Sequence, residues 1–161
     1  MAPMLIWLAF VTVVALLCVL RPGAGRIFVG LFFWLMAIGV NLRLAITNPQ
    51  SFVDFVNGAY LGLYRDWFAP IVAWSPRLFA LATAGFELVV GGLILGRGRA
   101  VKVGLAGAIL FLLGITPLGK EELPNPVLAA GLAYLLNRTF DRTAREVLRT
   151  VIGSRRRRWL A

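Results

Sequence analysis

Apolar residues in this chain gather into long runs, separated by short turns that carry glycine, proline and basic residues. Five runs stand out: 4–20 (MLIWLAFVTVVALLCVL), 27–46 (IFVGLFFWLMAIGVNLRLAI), 78–96 (LFALATAGFELVVGGLILG), 101–116 (VKVGLAGAILFLLGIT) and 126–140 (PVLAAGLAYLLNRTF). A helix needs about 20 apolar residues, with a range of roughly 17 to 25, to cross ~30 Å of hydrocarbon. The first three runs come close to that length, the fourth is slightly short, and for the fifth length alone leaves the matter open. The pattern predicts an all-α polytopic membrane protein with about five spans.

Between the second and third runs, Phe52, Val56, Tyr60, Leu63 and Trp67 recur at helical spacing opposite Asp54, Asn57 and Arg65. This spacing predicts one amphipathic helix over 52–68, with Ser51 and Asp54 at its N-terminal cap. Seven of the chain's 19 aromatics fall between Phe52 and Trp74. That density marks 49–76 as an interfacial segment, with Tyr60, Tyr64, Trp67 and Trp74 as anchors at headgroup level. Two readings stay open: a belt that fixes depth, or a lid over a lateral cleft that admits a lipid-like ligand. After the last run, Phe140, Ala144, Val147, Leu148 and Val151 share one face of an amphipathic stretch, opposite Arg142, Arg145 and Arg149. Thr143 and Glu146 have the spacing of a capping box. Arg155, Arg156, Arg157 and Arg158 then suit an anionic leaflet at ~1 kcal/mol each, or act only as an orientation signal.

Composition agrees with the membrane class: 60% apolar residues, a mean hydropathy of +0.83 and 15% charged residues. Seventeen basic against seven acidic residues give a net +10. The basic residues lie between and after the apolar runs, which favours orientation in a bilayer over nucleic-acid binding. If all five runs cross, 13 basic residues share one side and Arg43, Arg65, Arg77 and Lys120 the other. By the positive-inside rule the N-terminus is outside and the C-terminus cytoplasmic. A four-span reading would put the arginine-rich tail outside. The first run lacks a basic n-region, and RPGAGR is a poor cleavage site, so it reads as a retained anchor. Three parts result: 1–25 an anchor with a basic turn, 26–138 a membrane core, and 139–161 a basic cytoplasmic tail.

Chemistry narrows the picture further. Cys18 is the single cysteine and there is no histidine, so neither a CxxC pair nor a haem or zinc ligand set is present, no metal site is expected, and no catalytic residue stands out. Glu87 is the only charge from Leu78 to Gly96. Ionised at mid-helix it costs ~2.5 to 3.5 kcal/mol, so it is expected to face the bundle interior and to meet Asn41, Arg43 or both. Three roles are open: a polar clasp between two spans, a functional carboxylate that moves a proton or binds a quinone or other headgroup, or a protonated acid bonded to a backbone carbonyl. Gly91, Gly92, Gly104, Gly107 and Gly114 read as helix-packing positions. Ala100, Gly104 and Ala108 form small-xxx-small pairs that serve the bundle or a homodimer.

The stretches RIFVGLFFWLMAIGVNLRLAITNP, YRDWF, FELVVGGLILGRGR, LAGAILFLLGIT and LPNPVLAAGLAYLLNR, taken in order over roughly 26–138, resemble the DoxX-like family of small bacterial membrane proteins. The most telling element is Glu87 followed by Gly91, Gly92, Gly96 and Arg97. The resemblance implies a four-helix transmembrane core, here with an extra N-terminal helix. It also implies an inner-membrane accessory or anchoring subunit of a redox or envelope-stress complex. In that family the relevant systems include the membrane part of a thiosulfate:quinone oxidoreductase. Alternatives are a protein that binds quinone, lipid or another small molecule in a lateral cleft near Glu87, and a membrane chaperone or assembly factor. The chain departs from the family in its added helix, its basic tail and its lack of a cysteine pair, which disfavours catalysis by this chain alone. Expected partners are membrane lipids and a protein partner or second copy; no cofactor is expected, although a quinone remains possible, and no nucleic acid is expected.

Overall fold

The computed structural model describes residues 2–150, all of its regular structure helical. Helix α1 (Ala2–Leu20) is followed after one residue by α2 (Pro22–Leu35). Proline at the first turn costs α2 nothing, because that N–H has no intrahelical partner anyway. The helix continues through a π-wound stretch, Met36–Leu42, into α3 (Arg43–Thr47). Two short helices follow, α4 (Gln50–Asn57) and α5 (Ala69–Trp74), the latter preceded by a second π-wound stretch, Tyr64–Phe68. Then come α6 (Pro76–Leu95), α7 (Arg99–Ile115) and α8 (Asn125–Leu136). The α6–α7 turn uses Gly98 at φ +60°, a conformation that a side chain would strain.

Among the described residues, four helices are long and apolar enough to cross a membrane: Pro3–Leu20, Pro22–Thr47, Pro76–Leu95 and Arg99–Leu118. The expected fifth run is helical only over Asn125–Leu136, where the polar Asn137-Arg138-Thr139 ends the apolar face. The long helices and α8 nonetheless form a closed ring in the order α1, α2–α3, α6, α7, α8, with α8 packed back on α1. Trp7 meets Asn125 near one end, and Ala15 meets Gly131 further along, so α1 and α8 run parallel. The core is a column of mainly aliphatic residues, including Val11, Val29, Ile94, Leu105 and Leu132. Outside, large apolar side chains such as Ile6, Leu20, Val89 and Leu110 are exposed. Such a surface is costly in water and suited to lipid.

The single helix expected over 52–68 is instead a helical hairpin. Gly58 ends α4, and the chain turns while the Pro117 carbonyl accepts the Tyr60 N–H at 3.0 Å. The returning limb packs Ala69 and Val72 on Val53 and Val56, with Leu118 beneath. The expected apolar face therefore splits: Val56 is buried, whereas Tyr60, Leu63 and Trp67 are exposed. Ser51 makes no cap; its hydroxyl donates to the Asn48 carbonyl at 2.8 Å. The capping box in the tail does form. The Thr143 N–H donates to Glu146 Oε2 at 2.7 Å, and the Glu146 N–H donates to Thr143 Oγ1 at 3.3 Å. These contacts hold the Glu146 carboxyl below its ordinary range. Arg155, Arg156, Arg157 and Arg158 lie outside the described residues.

Candidate functional site: an aromatic cavity over a buried carboxylate

The hairpin roofs one end of the ring, and beneath it lies a cavity of about 1300 Å³. Its walls come from nearly every element: Trp7 of α1, Phe32 of α2, Phe52 of α4, Phe86 of α6 and Phe111 of α7. Leu63, Trp67 and Ile71 line it yet remain exposed, so the mouth lies along the returning limb of the hairpin. Both π-wound stretches face it, one through Met36, Val40 and Asn41, the other through Tyr64, Trp67 and Phe68. Such wide turns shift the register of side chains on a helix and recur at functional positions.

Two polar groups stand in this apolar wall. At mid-depth on α6, Glu87 is 3% exposed, and its Oε2 accepts a hydrogen bond from Asn41 Nδ2 at 2.6 Å. Oε1 makes no hydrogen bond among the described residues. The sequence points to Asn41, Arg43 or both as partners. Asn41 is the partner, whereas Arg43 is exposed, lies off the cavity and makes no ion pair among the described residues. Two residues apart on a helix means roughly opposite faces, so only one of the pair can look inward. Elsewhere on the wall, Trp7 Nε1 donates to Asn125 Oδ1 at 2.9 Å, and Asn125 Nδ2 donates to Glu122 Oε2 at 2.7 Å. Burial raises the Glu122 carboxyl above its ordinary range; the Asn125 bond opposes this, and neighbouring Glu121 adds to it.

Sequence reasoning misses the Trp7–Asn125–Glu122 chain. Its one local signal is an asparagine between two prolines at the start of the last run, Pro124-Asn125-Pro126. Arg26 is missed as well, since by its place in a basic turn it reads only as an orientation charge. It is 1% exposed and sits at the opposite end of the ring. There it donates to the Gly96 carbonyl at 2.8 Å and the Arg142 carbonyl at 3.0 Å, with its guanidinium 4.7 Å over the Phe140 ring. The Gly98 N–H adds a bond to the Phe140 carbonyl at 2.8 Å, so the tail is fastened to the α6–α7 turn.

The expected packing glycines divide. A Cβ on Gly91 would lie 2.6 Å from Trp34 and 2.8 Å from the Gly30 carbonyl, and one on Gly104 would lie 2.8 Å from the Ile94 backbone. Gly107 makes a looser contact, with Val90 at 3.2 Å. Gly92 and Gly114 face no helix closely; the Gly114 carbonyl instead accepts the Tyr64 hydroxyl at 2.7 Å. Tyr64 therefore fastens the hairpin to α7, while Tyr60, Trp67 and Trp74 are exposed. Gly25, Gly30 and Gly131, not singled out from the sequence, are as tightly packed as Gly91.

Comparison with family models, with curated proteins and with solved structures gives no match to the chain.

Proposed function

We propose that this chain is a multi-pass membrane protein that takes up an amphiphilic small molecule, of lipid or quinone size, in the cavity above Glu87. The observation that carries the reading is the cavity itself. About 1300 Å³ of mostly apolar space, with a buried carboxylate and amide at its base, exceeds the usual range for drug-sized ligands and suits a longer molecule. The mouth beside Trp67 gives such a molecule a lateral route from the surrounding lipid. Five crossings, with the N-terminus outside and the C-terminus in the cytoplasm of a bacterial inner membrane, fit both the charge bias and the course of α8. Starting beside Trp7, α8 and the residues after it reach Phe140 and Arg142 at the Arg26 end, which is the full depth of the ring.

Native mass spectrometry of the protein in lipid nanodiscs tests this. The wild type is expected to carry a small molecule whose occupancy falls in Ala82→Trp, which adds an indole to the cavity wall. Equal occupancy in the wild type and that variant would sink the reading. For topology, a reporter fused after residue 150 is expected to be active only on the cytoplasmic side.

A second reading, an accessory or anchoring subunit of a redox or envelope-stress complex of the DoxX-like kind, is favoured by the tail. Arg26 fixes the tail's start, and the helix at 144–150 presents Arg145 and Arg149 outward. A cross-linker on Arg149→Cys, with Cys18 buried and unreactive, is expected to trap a partner subunit; its failure to do so in intact cells counts against this role.

A further inference from the structure

The charges around the cavity are unlike those of the chain as a whole. The protein has 17 basic and seven acidic residues, yet three of the acidic ones, Glu87, Glu121 and Glu122, line this cavity, and among the described residues no Lys or Arg does. Glu87 is almost wholly removed from the surface, and its Oε1 has no hydrogen-bond donor among the described residues. An ionised carboxylate at such depth calls for a counter-charge, and the protein supplies only the neutral Asn41 amide. The surrounding wall is aromatic. Ring faces carry the negative part of a quadrupole, which attracts a cation most strongly where water is excluded. Carboxylates and ring faces together repel an anionic headgroup and favour a positive one.

We infer that the occupant of this cavity is a lipophilic cation: an apolar body bearing a quaternary-ammonium, phosphonium or protonated-amine centre that seats against Glu87 Oε1. This rests on the binding role proposed above and narrows it by chemical class. The body lies among Phe32, Phe86 and Phe111, and Glu121 and Glu122, which also line the cavity, add to its attraction for a cation. Neutral quinones lack the charge that this lining selects, and fatty acids and anionic lipids carry the wrong sign.

The test uses two probes of nearly equal size and shape, tetraphenylphosphonium and tetraphenylborate, titrated calorimetrically into the full-length protein in a non-ionic detergent. The cation is expected to bind saturably and at least about tenfold more tightly than the anion. Glu87→Gln, which keeps an amide to bond Asn41, is expected to lose about tenfold in cation affinity while its thermal unfolding in detergent stays unchanged. Equal or tighter binding of the anion, or saturable binding of a short-chain quinone that the cation does not displace, overturns the inference and leaves the cavity's binding role standing. If no probe binds and no small molecule accompanies the protein in nanodiscs, both fall. Because the two probes are compared on the unaltered chain, their ranking does not depend on how well the variant folds.

Discussion

Adjacent glycines on α6 give a sharp test of the packing. Gly91 and Gly92 look alike in the sequence, and alanine at either improves intrinsic helix propensity by about 1 kcal/mol. At Gly92 the new methyl meets nothing closer than Trp34 Cζ2 at 4.0 Å, so the propensity gain is expected to survive. At Gly91 the methyl would sit 2.6 Å from Trp34 Cδ1 and 2.8 Å from the Gly30 carbonyl oxygen, and the latter is backbone that cannot rotate aside. Overpacking of this kind costs about 1–3 kcal/mol. The shift also disturbs the Trp34 Nε1 bond to the Leu88 carbonyl, 3.0 Å long, which adds about 0.5–1.5 kcal/mol. After the propensity gain is subtracted, Gly91→Ala is expected to be about 1–3 kcal/mol less stable than wild type, and the two variants to differ by about 2–4 kcal/mol. For a chain of this size that gap corresponds to roughly 5–15 °C in unfolding temperature. Thermal unfolding of both variants in one detergent, followed by tryptophan fluorescence, measures it. If Gly91→Ala unfolds at or above the temperature of Gly92→Ala, the close approach of α2 and α6 at Gly30 and Gly91 is wrong.

Three further outcomes are expected. Glu87→Leu strands the Asn41 amide in the apolar wall and lowers stability by about 1–3 kcal/mol, whereas Glu87→Gln does not; guanidinium titration in detergent separates the two. Replacing Arg26 by Met leaves the Gly96 and Arg142 carbonyls without their donor, so the tail detaches and protease cuts faster after Arg142 and Arg145 while the ring stays folded. The Glu122 carboxyl is raised above 4.5 in the folded protein, so its contribution to stability is fully present below that pH and is lost as pH rises. Glu122→Gln is expected to flatten that dependence in pH-resolved melting curves, and a curve that instead falls toward acid would contradict it.

Some of this arrangement is legible in the amino-acid pattern because its cause is local. A lone glutamate in a 19-residue apolar run stands out, and the expense of an ionised group in hydrocarbon points to an inward-facing partner on the second run. Asn41 is one of the two residues that this logic selects. Arg43 comes with it because snorkelling range does not reveal which face of a helix looks inward. The hairpin escapes such reasoning because apolar spacing continues past Gly58 as though the helix did, whereas the Tyr60 N–H leaves the helix for the distant Pro117 carbonyl. Arg26 and the Trp7–Asn125–Glu122 chain escape for a different reason. Trp7 and Asn125 are 118 positions apart, and nothing near either residue announces the other. The glycines separate on the same principle: composition marks the small residues, but which of them touches a neighbouring backbone depends on how the helices cross.

The seam between α1 and α8, where Gly131 lies against Ala15, has a consequence for biogenesis. Helix α1 finds one of its two ring neighbours, α8, only after every other helix of the ring has been made. Until then the face of α1 that carries Ala15 stands open to any other helix passing through the insertion machinery. Contacts of such large sequence separation form late and leave intermediates exposed to mispairing. Synthesis halted before α8 would therefore leave a split cylinder with its cleft along α1, and closure of that cleft is the step at which an escort protein would matter most.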